Sequence, residues 1–408
     1  VNALPSKSST AGRLSSTLLF GLAAVILVIC IVYAPSEAFK ASGQGLAIWW
    51  RIVFPALLPF LVLTEIVLAS GFARGLGVLL EPFTRRILGL PGLAGYVIPL
   101  GLIAGFPAAA TASASLYQQG KVTSKEAERM AAAAHFGSPM LLTVVIGTGF
   151  IGSPALGLLL LGIHWLAGLG AAATLRSSGT SPGSSSRFPA SSKPSENKGI
   201  LHLVFSEMRR AQEEDGRSFG KLLGDAVSKS VQTLMNIGGY MLIFAVVIHV
   251  LTRAWPSFLP QALVSGLLKL HLGAYTAAKM ALPPSVLAAW ISAMLGWGGL
   301  CALLQVRSIL YPAGIGIRSF ILYRMIHAAY ACLLALLLWK PAMHWFPGTL
   351  PAASGINPAS VDPDTTGYTP LPTWEQIVGM LQLQSLLLAA ILTGSICIAL
   401  WLRRLRVR

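Results

Sequence analysis

The sequence predicts an all-α polytopic membrane protein with about eight transmembrane or re-entrant segments in two inverted repeats. Three observations predict it. The 408-residue chain is 54% hydrophobic and only 11% charged, a balance that soluble domains do not have. Its apolar residues fall in runs that reach the roughly 20 residues a membrane helix needs. Two gapped stretches, Leu100–His135 and Leu295–His327, also read as copies of each other. Each opens on an apolar run broken by glycine and ends on an arginine followed by a histidine, Arg129 with His135 and Arg324 with His327. Each follows a long apolar run and an amphipathic segment, Arg74–Leu90 and Gln261–Ala281. Broken hydrophobic segments at matching places in a duplicated chain mark a transporter and its binding site.

The spans lie near 17–34, 46–70, 93–116, 137–170, 228–252, 286–306, 321–340 and 376–402. The first follows Lys7 and Arg13 and is followed by no clear small-x-small cleavage site, so it reads as a retained helix rather than a signal peptide. The chain opens on Val1 rather than methionine, so its true start is expected upstream. The third and sixth spans hold the broken motifs and are candidates for re-entrant or unwound segments. The fourth is too long for one upright helix, so a tilt, a kink or a start outside the membrane is expected. Between the halves, Arg176–Ser218 is rich in Ser, Pro, Gly and charge and reads as a flexible linker. A polar segment, Pro347–Thr373, holds Asp362 and Asp364 and no Lys or Arg.

The net charge of +16 sits between the hydrophobic runs, where it sets topology. No basic stripe with interleaved aromatics appears, so no nucleic-acid partner is expected. The tail Arg403, Arg404, Arg406, Arg408 should face the cytoplasm, as should Lys7, Arg13 and the central linker. Counting eight crossings puts the loop around Lys121–Arg129 outside and the loop around Arg307–Arg324 inside, so the two copies run antiparallel. Cys30, Cys301, Cys332 and Cys397 all fall in apolar runs without paired spacing, which predicts small buried roles and no metal site. No phosphate-binding loop, zinc-protease helix or nucleophile elbow is present, so neither an enzyme nor a cofactor is expected.

A further set of strings points to a family. Trp49-Trp50-Arg51 with Pro55 and Pro59 is followed by Gly77-x-x-x-Glu81-Pro82, Gly105-Phe106-Pro107, Leu116-Tyr117, Glu126-Ala-Glu128-Arg129 and Ser138-Pro139. Leu234-x-x-Ile-Gly238-Gly239-Tyr240 and Leu295-Gly296-Trp297-Gly298-Gly299-Leu300 with Gln305-Val306 follow. In order and spacing, from about Gly45 to Trp339, these resemble the sporulation integral membrane proteins of the YlbJ or SpoVV type. Those proteins carry a nucleoside-recognition, Gate-type domain distantly similar to concentrative nucleoside transporters. The resemblance implies dipicolinic acid as solute, moved into the forespore, and the outer forespore membrane as location. This chain departs from the family pattern, with Phe106, Ala109 and Thr111 where a tyrosine, a glycine and a lysine are usual, and Leu303 where a histidine is usual. The resulting division is 1–44 N-terminal transmembrane helix, 45–175 first Gate-type repeat, 176–227 cytoplasmic linker, 228–346 second Gate-type repeat, 347–374 extracytoplasmic loop, and 375–408 C-terminal helix with its basic tail.

Unwound backbone is tolerated at membrane depth only where protein or a water-filled cavity receives it. Half-helix N-termini there suit an anion. Gly105, Phe106 and Pro107 form one candidate break, and Gly296, Trp297, Gly298 and Gly299 the other. Phe106 or Trp297 is suited to stack on a planar ring. The same glycines also serve close helix packing. Thr111 and Ser113 are candidate path-lining hydroxyls, and Asn236 and Gln305 candidate hydrogen-bonders, each with a helix-packing alternative. Glu65, ionisable inside a span, is a candidate for ion coupling or for pairing with a basic residue. Arg51, Arg307 and Arg324 are candidate partners for an anion or positive-inside anchors. His135 and His327 are candidate proton relays or polar caps. The partners expected are a small molecule, dipicolinate or a nucleoside, the lipid bilayer, and a further copy of the chain in a homo-oligomer. A scaffold recruiting sporulation partners through the linker is the non-transport alternative.

Overall fold

A computed structural model describes residues 24–176, 200–254 and 260–345, and also residues 18, 21, 22 and 393. Apart from residue 393, the expected last span and basic tail lie outside the described residues, as do the polar loop with Asp362 and Asp364, Cys397, Lys7 and Arg13. Every regular element described is helical. Among the described residues, five helices are long and apolar enough to cross a membrane: Pro35–Ala69, Pro154–Thr174, Phe219–Thr252, Pro284–Leu310 and Arg318–Met343.

After α1 (Ala24–Tyr33), α2 (Pro35–Ile48) continues through a π turn, Trp49–Val53, into α3 (Phe54–Ala69). The π turn has a local cause. Pro55 has no N–H and its ring crowds the carbonyl four residues back, so the helix widens, and the Phe54 N–H reaches the Trp49 carbonyl. This continuous rod packs antiparallel against α10 (Phe219–Ala254). Glu65 pairs with Lys229 at 2.6 Å, the Trp49 indole N–H donates to the Leu234 carbonyl at 2.9 Å, and Glu37 meets His249 at 3.0 Å. A Cβ on Gly238 would fall 2.6 Å from the Trp49 ring, so the glycine admits the indole. Two of the strings that carry the family resemblance are thus the two sides of one helix contact.

The end where α3 stops and α10 starts, the linker end, also carries the amphipathic α4 (Phe72–Arg86) and α9 (Ile200–Asp215). The expected flexible linker therefore contains a docked helix. Val204 and Met208 lie over Gly75, where even a Cβ would crowd them, and Arg74 pairs with Glu214 at 2.6 Å. The amphipathic spacing of Val204, Met208 and Ala211 gives α9 one apolar face for α4, a signal that the Ser/Pro-rich stretch before it conceals.

From the linker end, α5 (Ala94–Ala104) descends to Gly105, and α6 (Phe106–Gln118) returns. The return follows from α7 (Ser124–Ala133), which joins α6 by a short turn and runs alongside α5 in the same direction. Arg129 Nη2 donates to the Gly89 carbonyl at 3.2 Å just ahead of α5, and a Cβ on Gly105 would lie 3.6 Å from the Phe136 carbonyl. The expected third span is thus a helical hairpin with Gly105 at its tip. Glycine is required there, since φ +88 and ψ 178 are closed to other residues.

The expected fourth span divides. The chain unwinds after α7 and resumes as a π-helical segment, Leu141–Ile151, that completes the crossing begun by α7. Gly152 at φ +75 ends it, Ser153 caps the next helix and Pro154 opens it. That helix, α8 (Pro154–Thr174), crosses back, so that Arg176 packs on Gly89 at the linker end. The second half also holds a helical hairpin and a broken long helix. After α10 come two short helices that fold on each other, α11 (Gln261–Leu268) and α12 (Leu270–Ala278). Gly266 and Gly273 meet where they cross, and Lys269 forms the tip. A traversing helix broken at Gly298 follows, α13 (Pro284–Trp297) and α14 (Gly299–Leu310), and then α15 (Arg318–Trp345).

Two sequence expectations are corrected. The loops around Lys121–Arg129 and Arg307–Arg324, placed on opposite sides by counting crossings, meet at one end. Ser124 Oγ donates to the Gly314 carbonyl at 3.3 Å, and Glu128 Oε1 accepts from the Ser319 N–H at 2.7 Å. The count failed because one span is a hairpin and another holds one and a half helices. The stretches from Leu100 and from Leu295 are also not equivalent units, because Gly105 tips a hairpin whereas Gly298 interrupts a traversing helix.

Candidate functional site

Each hairpin tip rests against the broken helix of its own half. Gly105 faces the unwound Phe136–Ser138, and Gly299 faces Leu268 and Leu270 on either side of Lys269, 3.1 Å from where its Cβ would be. The two breaks in turn touch. The His135 ring stacks on Phe106 with centroids 4.4 Å apart, and its Nε2 lies 3.2 Å from the Cβ position of Gly298. Gly298 has φ +84, a backbone state that keeps this space free of a side chain.

Arg324 on α15 holds the breaks together. Its guanidinium donates to the His135 carbonyl at 2.9 Å and to the Leu295 and Gly296 carbonyls. These carbonyls stand at the C-terminal ends of α7 and α13, where helices carry partial negative charge and unsatisfied acceptors. The side chain is 2% exposed and has no carboxylate partner among the described residues. Its charge is balanced by two helix ends, one from each half.

Behind it lies a histidine pair. The His164 and His327 rings stack at 4.5 Å. His164 Nε2 accepts the Gly137 N–H at 3.0 Å, so the proton of its neutral ring is on Nδ1. His327 Nε2 lies 2.9 Å from the His164 carbonyl, which only accepts, so that nitrogen carries a proton. Gly168 makes room for the His327 and Phe136 rings, since a Cβ there would lie 2.8 and 2.5 Å from them. Buried atoms without hydrogen-bond partners cluster here: Arg324 Nε, His135 Nδ1 and His164 Nδ1.

A second polar group sits at the other tip. Lys269 is 5% exposed, and its Nζ lies 3.4 Å from Cys301 Sγ, on the first turn of α14. Gln305 Nε2 approaches the same sulfur at 3.6 Å. Cys301 is thus in polar company, unlike the small apolar role its sequence surroundings predict.

The convergence gathers Gly105, Phe106, Gly296, Gly298 and Gly299, with Trp297 and Gln305 at its margin. The Trp297 indole N–H donates to the Leu267 carbonyl at 3.0 Å, tying the second break to α11. Pro107 lies exposed in the first turn of α6, where a missing N–H costs nothing. Thr111 and Ser113 spend their hydroxyls on the carbonyls of Pro107 and Ala109 in their own helix, both at 2.9 Å. Asn236 is exposed on α10, one turn before Tyr240. Glu65, paired with Lys229, joins α3 to α10, and Arg51 lies exposed in the π turn. Arg307 stands over the Tyr311 ring at 5.6 Å and shares a cavity of about 480 Å³ at the linker end with Glu128 and Arg318. Sequence reasoning passed over Lys269, though a lysine within Leu-Leu-Lys-Leu-His-Leu is a cation in an apolar run. It offered Arg324 as an anion partner or anchor and did not bring it together with His164, because nothing local shows that three distant segments meet there.

Comparison with known proteins agrees with this membrane architecture. The chain is 33% identical over 344 residues to the sporulation integral membrane protein YlbJ of Bacillus subtilis (strain 168), covering 80% of this chain and 83% of that protein. No family model matches the chain, and no solved structure matches it.

Proposed function

The chain belongs to the YlbJ family of sporulation integral membrane proteins, and from that premise we propose that it carries a small planar organic anion across the membrane. By the family resemblance the solute is dipicolinic acid and the membrane is the outer forespore membrane. One observation carries the reading: the Gly105–Phe106 tip and the break at Gly298 meet at His135, and the second hairpin tip packs on Gly299 beside them, between long apolar helices. Non-helical backbone gathered at that depth is the mark of a transporter's binding region.

The chemistry of the convergence favours an anion. The C-terminal carbonyls of α7 and α13 are taken by Arg324, whereas α6 and α14 begin without side-chain caps. Their free N–H groups and positive dipole ends are therefore the groups open to a ligand. The Phe106–His135 stack offers a flat face to an aromatic ring. The opposite directions of the α7 and α13–α14 traverses support an inverted repeat, with Gly105 matched to Lys269 and the 134–138 break matched to Gly298. Rocking of one half against the other about this point would expose it to either side in turn.

Uptake of labelled dipicolinate and labelled uridine into proteoliposomes tests the reading. Saturable dipicolinate uptake without uridine uptake is expected. Uridine uptake alone would make the chain a nucleoside carrier, and flux of neither from correctly inserted protein would favour the scaffold reading.

A further inference from the structure

Lys269 is placed where an ordinary buried lysine is not. It forms the tip of the α11–α12 hairpin, in extended backbone at φ −142 and ψ 110. Its ammonium makes one hydrogen bond, to the weak acceptor Cys301 Sγ, and lies 5.6 Å from the Tyr240 ring centroid. No carboxylate among the described residues pairs with it. Lys269 also closes the C-terminal end of α11, which favours a cation, but its ammonium meets a thiol on the first turn of α14, beside the positive end of that helix, where like charge is disfavoured. Two uncapped N-termini adjoin it, those of α12 and α14. A buried ammonium, two helix N-termini and no acid add up to a place that is electrostatically incomplete without a bound anion.

We propose that Lys269 is the cationic contact that seats a carboxylate of the carried solute, between the hairpin tip and the break at Gly298–Gly299. The proposal rests on the anion-transport reading and names the residue that selects for charge. Arg324 is the poorer contact, because Nη1 and Nη2 donate to the carbonyls of His135, Leu295 and Gly296 and only its buried Nε is unpartnered. The seated carboxylate would accept from Nζ and from the free N–H groups of the first turn of α12 or α14. Charge selection follows, since a neutral solute leaves the ammonium without its counter-charge. Gln305, one turn beyond Cys301 on α14, is placed to accept or donate beside the same carboxylate.

The test is dipicolinate binding by the full chain in lipid nanodiscs, read by calorimetry, for the wild type, Lys269→Met and Lys269→Arg. Affinity is expected to fall at least about tenfold in Lys269→Met, the scale of a lost hydrogen bond to a charged group. It should stay within about threefold in Lys269→Arg, which keeps the charge. Without ligand, the thermal midpoint of Lys269→Met should equal or exceed that of the wild type, because an apolar side chain replaces a buried lone charge. Equal affinity in wild type and Lys269→Met would overturn the assignment while leaving the transport reading intact. Absence of dipicolinate binding by the wild type would overturn both. A lowered midpoint in Lys269→Met, with affinity lost equally in Lys269→Arg, would make the lysine a structural tie and overturn the assignment.

Discussion

The Arg324 guanidinium donates to the His135 carbonyl at 2.9 Å, across 189 positions of sequence. Through the same side chain, the Leu295 and Gly296 carbonyls are tied to that contact. One buried cation therefore satisfies the broken ends of a helix from each half, which is what lets two unwound segments lie together inside an apolar protein.

Removing that cation should weaken the fold. Arg324→Leu leaves the His135, Leu295 and Gly296 carbonyls without their donor, at about 1–3 kcal/mol for each buried acceptor left unpaired. A lowered thermal midpoint in detergent is expected. Arg324→Lys should recover only part of the loss, since an ammonium lacks the fork that reaches two helix ends at once. An unchanged midpoint in Arg324→Leu would show that the helix ends are satisfied by other means.

Gly298 should be intolerant of a side chain for functional reasons as well as conformational ones. Its φ of +84 disfavours any other residue, by roughly 1–2 kcal/mol, and a Cβ would press on His135 Nε2. Gly298→Val should insert into the membrane yet lose solute flux in proteoliposomes. Gly120, also at positive φ but with nothing within 4 Å of its Cβ position, gives the control. Gly120→Ala bears backbone strain alone and should keep flux.

The apolar runs were legible because composition alone identifies them, and Gly105 and Gly298 were legible as breaks because no other residue holds such backbone. What was lost is the direction of the chain after each break. A reversal at Gly105 and a continuation at Gly298 look alike in sequence, since both are a glycine between apolar stretches. The difference lies in long-range packing, such as Gly101 against the Ala134 carbonyl. The α11–α12 hairpin read as one amphipathic segment for the same reason. Gly152-Ser153-Pro154, in contrast, held a terminator, a cap and a helix-opening proline in a row, and the split of the fourth span was readable there.

Docking of α9 on α4 should weaken in acid. Hydrogen bonding from Arg74 on α4 holds the Glu214 carboxyl below its usual value. A carboxyl depressed in the docked state adds stability that is complete above its ordinary pKa and is lost as pH falls through the depressed value. Docking should therefore be unchanged near neutrality and loosen below about pH 4. The Arg74–Glu214 pair is half-exposed, so the effect is small and screened by salt. Amide exchange in 200–215 at pH 7 and pH 3.5, corrected for intrinsic rates, would measure it. Equal protection at both values would assign the docking to Val204 and Met208 alone.

Glu65 and Lys229 form a strap between α3 and α10. Glu65→Lys and Lys229→Glu should each lower thermal stability, and the double exchange should restore about 0.2–1 kcal/mol of the loss, the range for exposed pairs. A proton- or sodium-dependence of flux that disappears in Glu65→Gln but survives the double exchange would instead give the carboxylate a coupling role independent of this pair.

The meeting of Ser124 with Gly314 fixes the sidedness of two loops. Both carry basic residues, Lys121, Lys125 and Arg129 in one, Arg307 and Arg318 in the other, so the positive-inside rule places both in the cytoplasm. Counting eight simple crossings instead puts them on opposite sides. Single cysteines at Gly120 and Gly314, in a background with Cys30, Cys301, Cys332 and Cys397 replaced, separate the two arrangements. A membrane-impermeant maleimide should label both positions in inverted vesicles and neither in right-side-out cells. Labelling of the two from opposite sides would dismantle the hairpin reading of α5–α6. The convergence of Gly105 with His135 would fall with it, because the tip reaches the break only if α6 turns back to the face from which α5 came.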